Sequence, residues 1–349
     1  MRIKIHRYIQ WLIQGKQNMF SRYFKFLVVI VSLCVSFIPH TSLIAQDIHF
    51  SQFYAAPLHL SPSFSGSYLG TRLVSNYRIQ WPEVPNAFTT AAISIDQSFP
   101  EFRSGVGLLV IRDTKGELDI YSNSLAINYS YDVKIKGDYH FRPGIAFSYC
   151  FSGIDASNAL TRDMIQTGLP TSTQTISRPK ANYFDAAFSG LFYNKYIWIG
   201  ATCYHLTTPN VTFGSEGELP MEFSVFSGVK LGRKGKLIKP PKDNLTFAFQ
   251  FMKLAAFNQL NIGCIGTKEF IKLGIWYRGI PAFKENPGSD AVIFSLGYEK
   301  NQFSIGISHD FTISGLSNYT NGANEIYLAY TIPYSKPKKK YTSLPCPVF

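Results

Sequence analysis

Charge is scarce in this chain. Only 16% of its 349 residues are Asp, Glu, Lys or Arg, where ordinary soluble domains carry about 25%. Long hydrophobic runs are also missing. After residue 45 no stretch approaches the roughly 18 consecutive apolar residues that a spanning helix requires, so a bundle of membrane helices is excluded. Cysteine is sparse: beyond the first 45 residues only Cys150, Cys203, Cys264 and Cys346 remain, far apart and without CxxC spacing, so no disulfide framework is expected. His49, His59, His140, His205 and His309 are scattered, with no HExxH and no i, i+4 pair. No metal or cofactor is expected. Disorder is excluded by what is abundant, 21 Tyr, 29 Phe and 4 Trp, an aromatic load that a chain kept open in water does not carry.

The first 45 residues read as a secretory signal. Arg22 and Lys25 precede an apolar stretch from Phe26 to Ile38, and the segment ends on the small residue Ala45. Met19 is an alternative start. That stretch of 13 residues falls short of a membrane span. Removing residues 1–45 takes away six basic residues and no acidic ones, lowering the net charge from +12 to +6. Of what remains, basic residues cluster in two places, Arg233 to Lys242 and Lys336 to Lys340, without interleaved aromatics. Nucleic acid is therefore not an expected partner.

From Thr71 to Pro333 the dominant signal is alternation with a period of two. Phe303, Ile305, Ile307, His309, Phe311 and Ile313 share one face, against Ser304, Gly306, Ser308, Asp310 and Thr312 on the other. No helical phase fits that pattern. About fourteen such runs follow one another, each near the 9–11 residues of a tilted transmembrane strand. Lys115-Gly116, Lys136-Gly137-Asp138, Pro287-Gly288 and Lys300-Asn301 supply turn chemistry between runs. A soluble sandwich also alternates, but its outward face carries Lys, Glu and Thr. Here the second face is Gly, Ala, Ser and Asn with occasional charges, which suits a crowded or watery lumen. Tyr129, Tyr131, Tyr193, Tyr196, Trp198, Trp276 and Tyr277 gather near strand ends and read as a headgroup girdle. The expected fold is all-β: a transmembrane antiparallel up-and-down barrel of about 14 strands over residues 71–334, set in the outer membrane. A basic periplasmic tail over residues 335–349 follows it.

Residues 46–70 precede the first strand. They carry Pro57, Pro62 and Gly66, which prevent a long regular element, together with Phe50, Phe53, Tyr54, Leu58, Leu60 and Phe64, which must be buried somewhere. The segment is expected to enter the barrel mouth as a partial plug or to lie along the periplasmic rim. Contacts are expected from Phe50, Gln52, Tyr54, Pro57 and Pro62. On the first strand Asn76, Arg78 and Gln80 share the lumen phase, while Trp81 shares the phase of Leu73, Tyr77 and Ile79. Arg78 needs a counter-charge, and Asp96 on the next strand is the expected one, either as a clamp on the plug or as a luminal ion pair.

The run Gln46-Asp47, Phe50-Ser51-Gln52-Phe53-Tyr54, Pro57-Leu58, Leu60-Ser61-Pro62, Gly66, and then Asn76-Tyr77-Arg78 and Gln80-Trp81, resembles the PorP/SprF family of type IX secretion outer-membrane proteins from Bacteroidota. The chain carries Ala56 and Ser61 where the family pattern often has Asn. The resemblance implies export by a signal peptide, insertion in outer-membrane lipid, and a role in secreting or anchoring cell-surface proteins such as gliding adhesins. The implied partners are a secreted adhesin, through its C-terminal domain, and other type IX secretion components.

Two other functions compete. One is a diffusion porin or small-solute transporter, which would conduct in bilayers. The other is a barrel enzyme such as a lipase, which needs a His and a Ser on neighbouring strands facing one side. None is evident. Ser308-His309-Asp310 fails as a triad because adjacent strand residues point to opposite faces. The expectation is a docking protein without catalysis.

Overall fold

The computed structural model describes residues 47–84, 87–116, 120–154, 180–211, 217–232, 243–255, 257–280, 288–313 and 320–334. The signal expected over residues 1–45, the basic loop at 233–242 and the tail at 335–349 lie outside them.

Period-two alternation becomes strand throughout. The strands are β1 (Gly70–Gln80), β2 (Phe88–Phe99), β3 (Ser104–Lys115), β4 (Ile120–Tyr131), β5 (Val133–Lys136), β6 (Tyr139–Gly153), β7 (Lys180–Tyr193) and β8 (Ile197–Tyr204). They continue as β9 (Glu222–Gly232), β10 (Asn244–Leu254), β11 (Phe257–Lys268), β12 (Ile271–Ile280), β13 (Gly288–Lys300), β14 (Phe303–Thr312) and β15 (Ala323–Pro333). Each pairs antiparallel with its neighbours, and β1 pairs with β15 from Gly70↔Pro333 to Gln80↔Ala323. The four-residue β5 pairs with β6 alone, and β4 pairs with β6 directly, so β4 and β5 share one wall position interrupted at Asp132. The result is a closed 14-stranded antiparallel barrel, which leaves no open sheet edge. Among the described residues no helix is long and apolar enough to cross a membrane.

Side chains alternate across this wall as the sequence predicts. Ile93, Phe147, Phe184, Leu273 and Phe294 are exposed on the outside, Leu273 by 60%. Val74, Asn76, Arg78, Ser94 and Asp96 are buried on the inside. An apolar band on this scale has no place in water and is the lipid-facing surface of an outer-membrane barrel. The girdle expectation needs correcting. Tyr129, Tyr131 and Tyr196 do stand on the outside, but Trp198 and Trp276 are each 1% exposed, and Tyr193 is buried with them. Trp276 alternates with Ile275 and Tyr277 and so falls in the inward phase of Gly274 and Arg278; residue type suggested an interface, and the pleat decides otherwise.

Connections sort only loosely by end, since the connection between β9 and β10 at 233–243 is long and that between β10 and β11 at 255–256 is short. Where β1 begins and β15 stops, β7–β8, β11–β12 and β13–β14 are joined by tight turns at Asn194–Tyr196, Glu269–Phe270 and Asn301–Gln302. The long connections 154–179 and 205–221 fall at the other end.

Candidate functional site

Residues 47–69 run through the lumen. Pro57 and Pro62 each open a short helical turn, Pro57–Leu60 and Pro62–Phe64, at the position where a missing N–H costs nothing. A 3-10 turn at Phe53–Ala55 precedes them. Phe50, Phe53, Leu58, Leu60 and Phe64 are all buried, and each such side chain contributes roughly 1.5–3 kcal/mol when withdrawn from water. Their partners are the inward aromatics of the wall. The Trp276 ring lies 5.1 Å from Phe53, edge-on, and 5.3 Å from Tyr54, stacked. Phe64 meets Phe226 at 5.5 Å. Phe50 packs edge-on against His59 within the plug at 5.1 Å.

Near the end that carries the long connections, Ser51 is the centre of an ionic cluster. Its hydroxyl donates to Asp310 Oδ2 at 2.6 Å, and accepts from Arg278 Nη2 at 2.8 Å and from Arg78 Nη1. Its backbone N–H donates to Glu325 Oε2 at 2.7 Å, and that of Gln52 to Glu325 Oε1 at 3.0 Å. Arg78 stands 3.1 Å from Asp310 and 3.6 Å from Glu325, and Arg278 stands 2.9 Å from Asp310. Two guanidiniums and two carboxylates balance in a site where a lone charge would be prohibitive. Above the same half of the plug, His205 bridges Asp185 at 2.6 Å and Asp47 at 2.9 Å. Burial works against the charged imidazole. The hydrogen bonds and charges of Asp185 and Asp47 outweigh it and raise the His205 pKa to about 10.

At the opposite end the wall grips the main chain. Gly66 N–H donates to Asp96 Oδ2 at 2.7 Å, Arg72 donates to the Phe64 carbonyl at 3.1 Å, and Arg142 to the Gly66 carbonyl at 3.0 Å. Ser130 Oγ donates to the Ser65 carbonyl at 2.7 Å. The two backbones nearly touch: a Cβ on Gly105 would stand 2.1 Å from the Ser65 carbonyl oxygen, and one on Gly144 2.4 Å from Ser63 N. Only glycine admits such an approach.

The expected pairing of Arg78 with Asp96 does not form. Register sets Asp96 directly opposite Arg72, with Arg72 Nε 2.9 Å from Asp96 Oδ1, and sets Arg78 opposite Thr90. Arg78 and Asp96 both touch the plug, but at its two ends. Asn76 Nδ2 donates to the Ala55 carbonyl at 3.4 Å, and Tyr54 donates to Gln52 Oε1 at 3.1 Å. Trp81 lies apart from these contacts, at the end of β1. There its N–H donates to the Gly322 carbonyl at 2.8 Å and its ring meets Phe88 edge-on at 5.1 Å. Sequence reasoning missed Arg278, Asp310, Glu325, Arg72, His205 and Trp276. Inward phase marks all of these except His205, which follows β8 in a turn. Among the described residues no cluster of His, Cys, Asp or Glu is arranged to hold a metal.

A family model described as "Type IX secretion system membrane protein PorP/SprF" matches residues 42–330. No curated protein matches the chain by sequence. Similar solved structures include the CymD monoaromatic hydrocarbon channel, at 9% identity over 81% of this chain and 94% of that one with a TM-score of 0.46. The Ralstonia pickettii toluene transporter TbuX is similar at 8% identity over 80% and 94%, TM-score 0.45. The Pseudomonas putida toluene transporter TodX follows at 8% over 81% and 93%, TM-score 0.43. The cargoes in those names belong to those proteins.

Proposed function

The chain belongs to the PorP/SprF family of type IX secretion system membrane proteins, and from that premise we propose that it docks or anchors secreted and cell-surface proteins at the outer membrane. Membership and the barrel together make it a non-catalytic outer-membrane protein with a transport or translocation role, working with secretion-system components. The finer reading is that cargo, such as a gliding adhesin, is held through its C-terminal domain or through another secretion component, at the rim of a barrel whose lumen is already occupied. The observation that carries it is the plug. Residues 50–58 and 60–67 are buried inside the wall, tied at both ends, and take the space a permeant would need.

A second reading, passage of small solutes, is favoured by the barrel architecture and by the wall's polarity, with Gln250, Gln259 and Asn261 buried on the inward face in the manner of a channel lining. One experiment separates the two. The purified protein in planar bilayers is expected to conduct little while retaining an adhesin's C-terminal domain on a column. Steady open-pore conductance with no retention of that domain would transfer the role to solute transport.

A further inference from the structure

Arginine is distributed unevenly across the wall. Among the described residues, five arginines lie on strands. Arg72, Arg78, Arg142 and Arg278 point into the lumen, where each is buried and bonded to Asp96, to Asp310 or to the plug. Arg112 on β3 instead shares the outward phase of Val106, Leu108 and Val110. It is exposed, and it has no hydrogen bond or ion pair.

Three rows of outward side chains, fixed by register across β2, β3 and β4, set its level. Ile93, Val110 and Leu125 stand side by side and exposed. One row further toward the long connections stand Ala91, Arg112 and Asn123, and the last row is Thr89, Thr114 and Tyr121. Neither outer row holds a large aliphatic side chain, so the apolar band stops here at Val110. Its other boundary is marked by Phe102, 71% exposed, and by Tyr131, which lies opposite Ser104. Eight residues separate Ser104 from Arg112, roughly 27 Å of strand and, at a tilt of about 40°, roughly 20 Å of height. That crosses most of an apolar band about 25 Å tall. An arginine facing lipid is costly at the bilayer midplane and close to neutral at the headgroups, and Arg112 stands at the headgroups. The connections 154–179 and 205–221 mark this as the outer end, because such barrels turn tightly on the periplasmic side.

We propose that Arg112 and Asn123 bind a phosphate of lipid A, the phosphorylated disaccharide lipid of the outer leaflet, with its acyl chains against Ile93, Val110 and Leu125. Asn123 lies directly opposite Arg112 and its amide is unbonded, so the amide and the guanidinium fork can meet the same phosphate. Ala91, on the other flank of Arg112, leaves that phosphate room. A second cation decides between lipid A and a phospholipid. Lys180, exposed at the start of β7, shares the outer row of Thr114 and Tyr121. Three wall positions separate β7 from β3, roughly 14 Å. That spacing suits two phosphates at opposite ends of a disaccharide and does not suit the single phosphate of a phospholipid. The proposal is independent of what docks at the rim.

Native mass spectrometry of the full chain in detergent, titrated with bisphosphorylated lipid A, tests it. One lipid A is expected to bind about tenfold more tightly than its fully dephosphorylated form, and an equal concentration of inorganic phosphate should not displace it. Arg112→Gln, which keeps a donor and removes the charge, should erase that preference, and Asn123→Leu should reduce it about threefold. Lys180→Gln should weaken the bisphosphorylated lipid about threefold and leave the monophosphorylated one unchanged. Lys253→Gln, outward on β10, should change nothing. Gel mobility with and without heating reports whether each variant folds. In folded protein, equal binding of the two lipid A forms, displacement by inorganic phosphate, an undiminished preference in Arg112→Gln, or the same loss in Lys253→Gln would overturn the site.

Discussion

The two ends of the plug are held by opposite means. Toward the long connections the grip falls mainly on side chains, the Ser51 hydroxyl among Arg78, Arg278 and Asp310 and Asp47 on His205, with Glu325 holding the backbone N–H groups of Ser51 and Gln52. Toward the tight turns it falls on the main chain, at Gly66 N–H and at the carbonyls of Phe64, Ser65 and Gly66, with glycines in the wall allowing contact. A side-chain grip depends on what the plug's sequence says and on the charge state of its partners. A main-chain grip does not depend on which side chains the plug carries, although the wall groups that make it, Asp96, Arg72 and Arg142, are charged. The first end is therefore the one whose hold changes with the plug's own side chains and with the protonation of His205 and Asp47.

The sharpest way to break this asymmetry is Asp310→Ala. It removes the carboxylate that receives Ser51, Arg78 and Arg278 and leaves Arg78 with Glu325 and Arg278 with only the more distant, half-exposed Asp290 at 3.8 Å. Breaking a buried ion pair by removing one partner costs about 3–5 kcal/mol. The expected outcome is rapid hydrogen exchange and proteolysis confined to residues 47–56, with residues 61–67 still protected. Uniform loss of protection along the whole segment would show that the two ends are not separable.

The complementary change is Gly144→Ala. Its new Cβ would meet backbone at Ser63 N, which cannot swing away as a side chain can. Overpacking of this kind costs about 1–3 kcal/mol. Exchange should accelerate at residues 61–67 first, sparing the Ser51 cluster, and the same substitution at Gly266, where nearest contacts lie at 3.9 Å, should leave the plug untouched.

Strand positions were legible because a barrel wall imposes a strict period of two, and the run over Phe303 to Ile313 read from that period is the strand β14 (Phe303–Thr312). Which side chains meet was less legible. Asp96 falls opposite Arg72 because the connection between β1 and β2 sets the register, and no local pattern reports that offset. Asp310 and Glu325 reach Arg78 only because the sheet closes through β1 and β15, bringing together residues 232 positions apart in the case of Asp310. Trp198 and Trp276 were readable from phase, but their residue type pointed to the membrane interface. The plug's apolar residues announced burial without saying how deep, since Pro and Gly exclude regular structure and leave the path to be chosen by pockets that other strands build.

The gentlest probe of the side-chain grip is pH. His205 binds its proton more tightly with the plug seated, because Asp185 and Asp47 together outweigh the cost of burying the charge. A group whose seated pKa is raised gives its full contribution below its ordinary value near 6.5 and loses it as pH climbs through about 10. Asp47 has the opposite sign: burial would raise its pKa, but the hydrogen bond and charge of His205 hold it far below the ordinary carboxylate range. Its contribution is complete above about pH 4 and is lost on acidification. The Asp47 end should therefore be best protected between roughly pH 4 and 6.5, loosening gradually to about pH 10. Exchange at Ile48 and His49, corrected for its intrinsic pH dependence, should follow that profile in the wild-type protein. It should become flat from pH 6.5 to 10 in His205→Gln, which keeps hydrogen bonding without the titration, while exchange at Ser63 to Gly66 stays level in both. A His205→Gln profile that still rose through this range would place the loosening in the wall and not in the grip on Asp47.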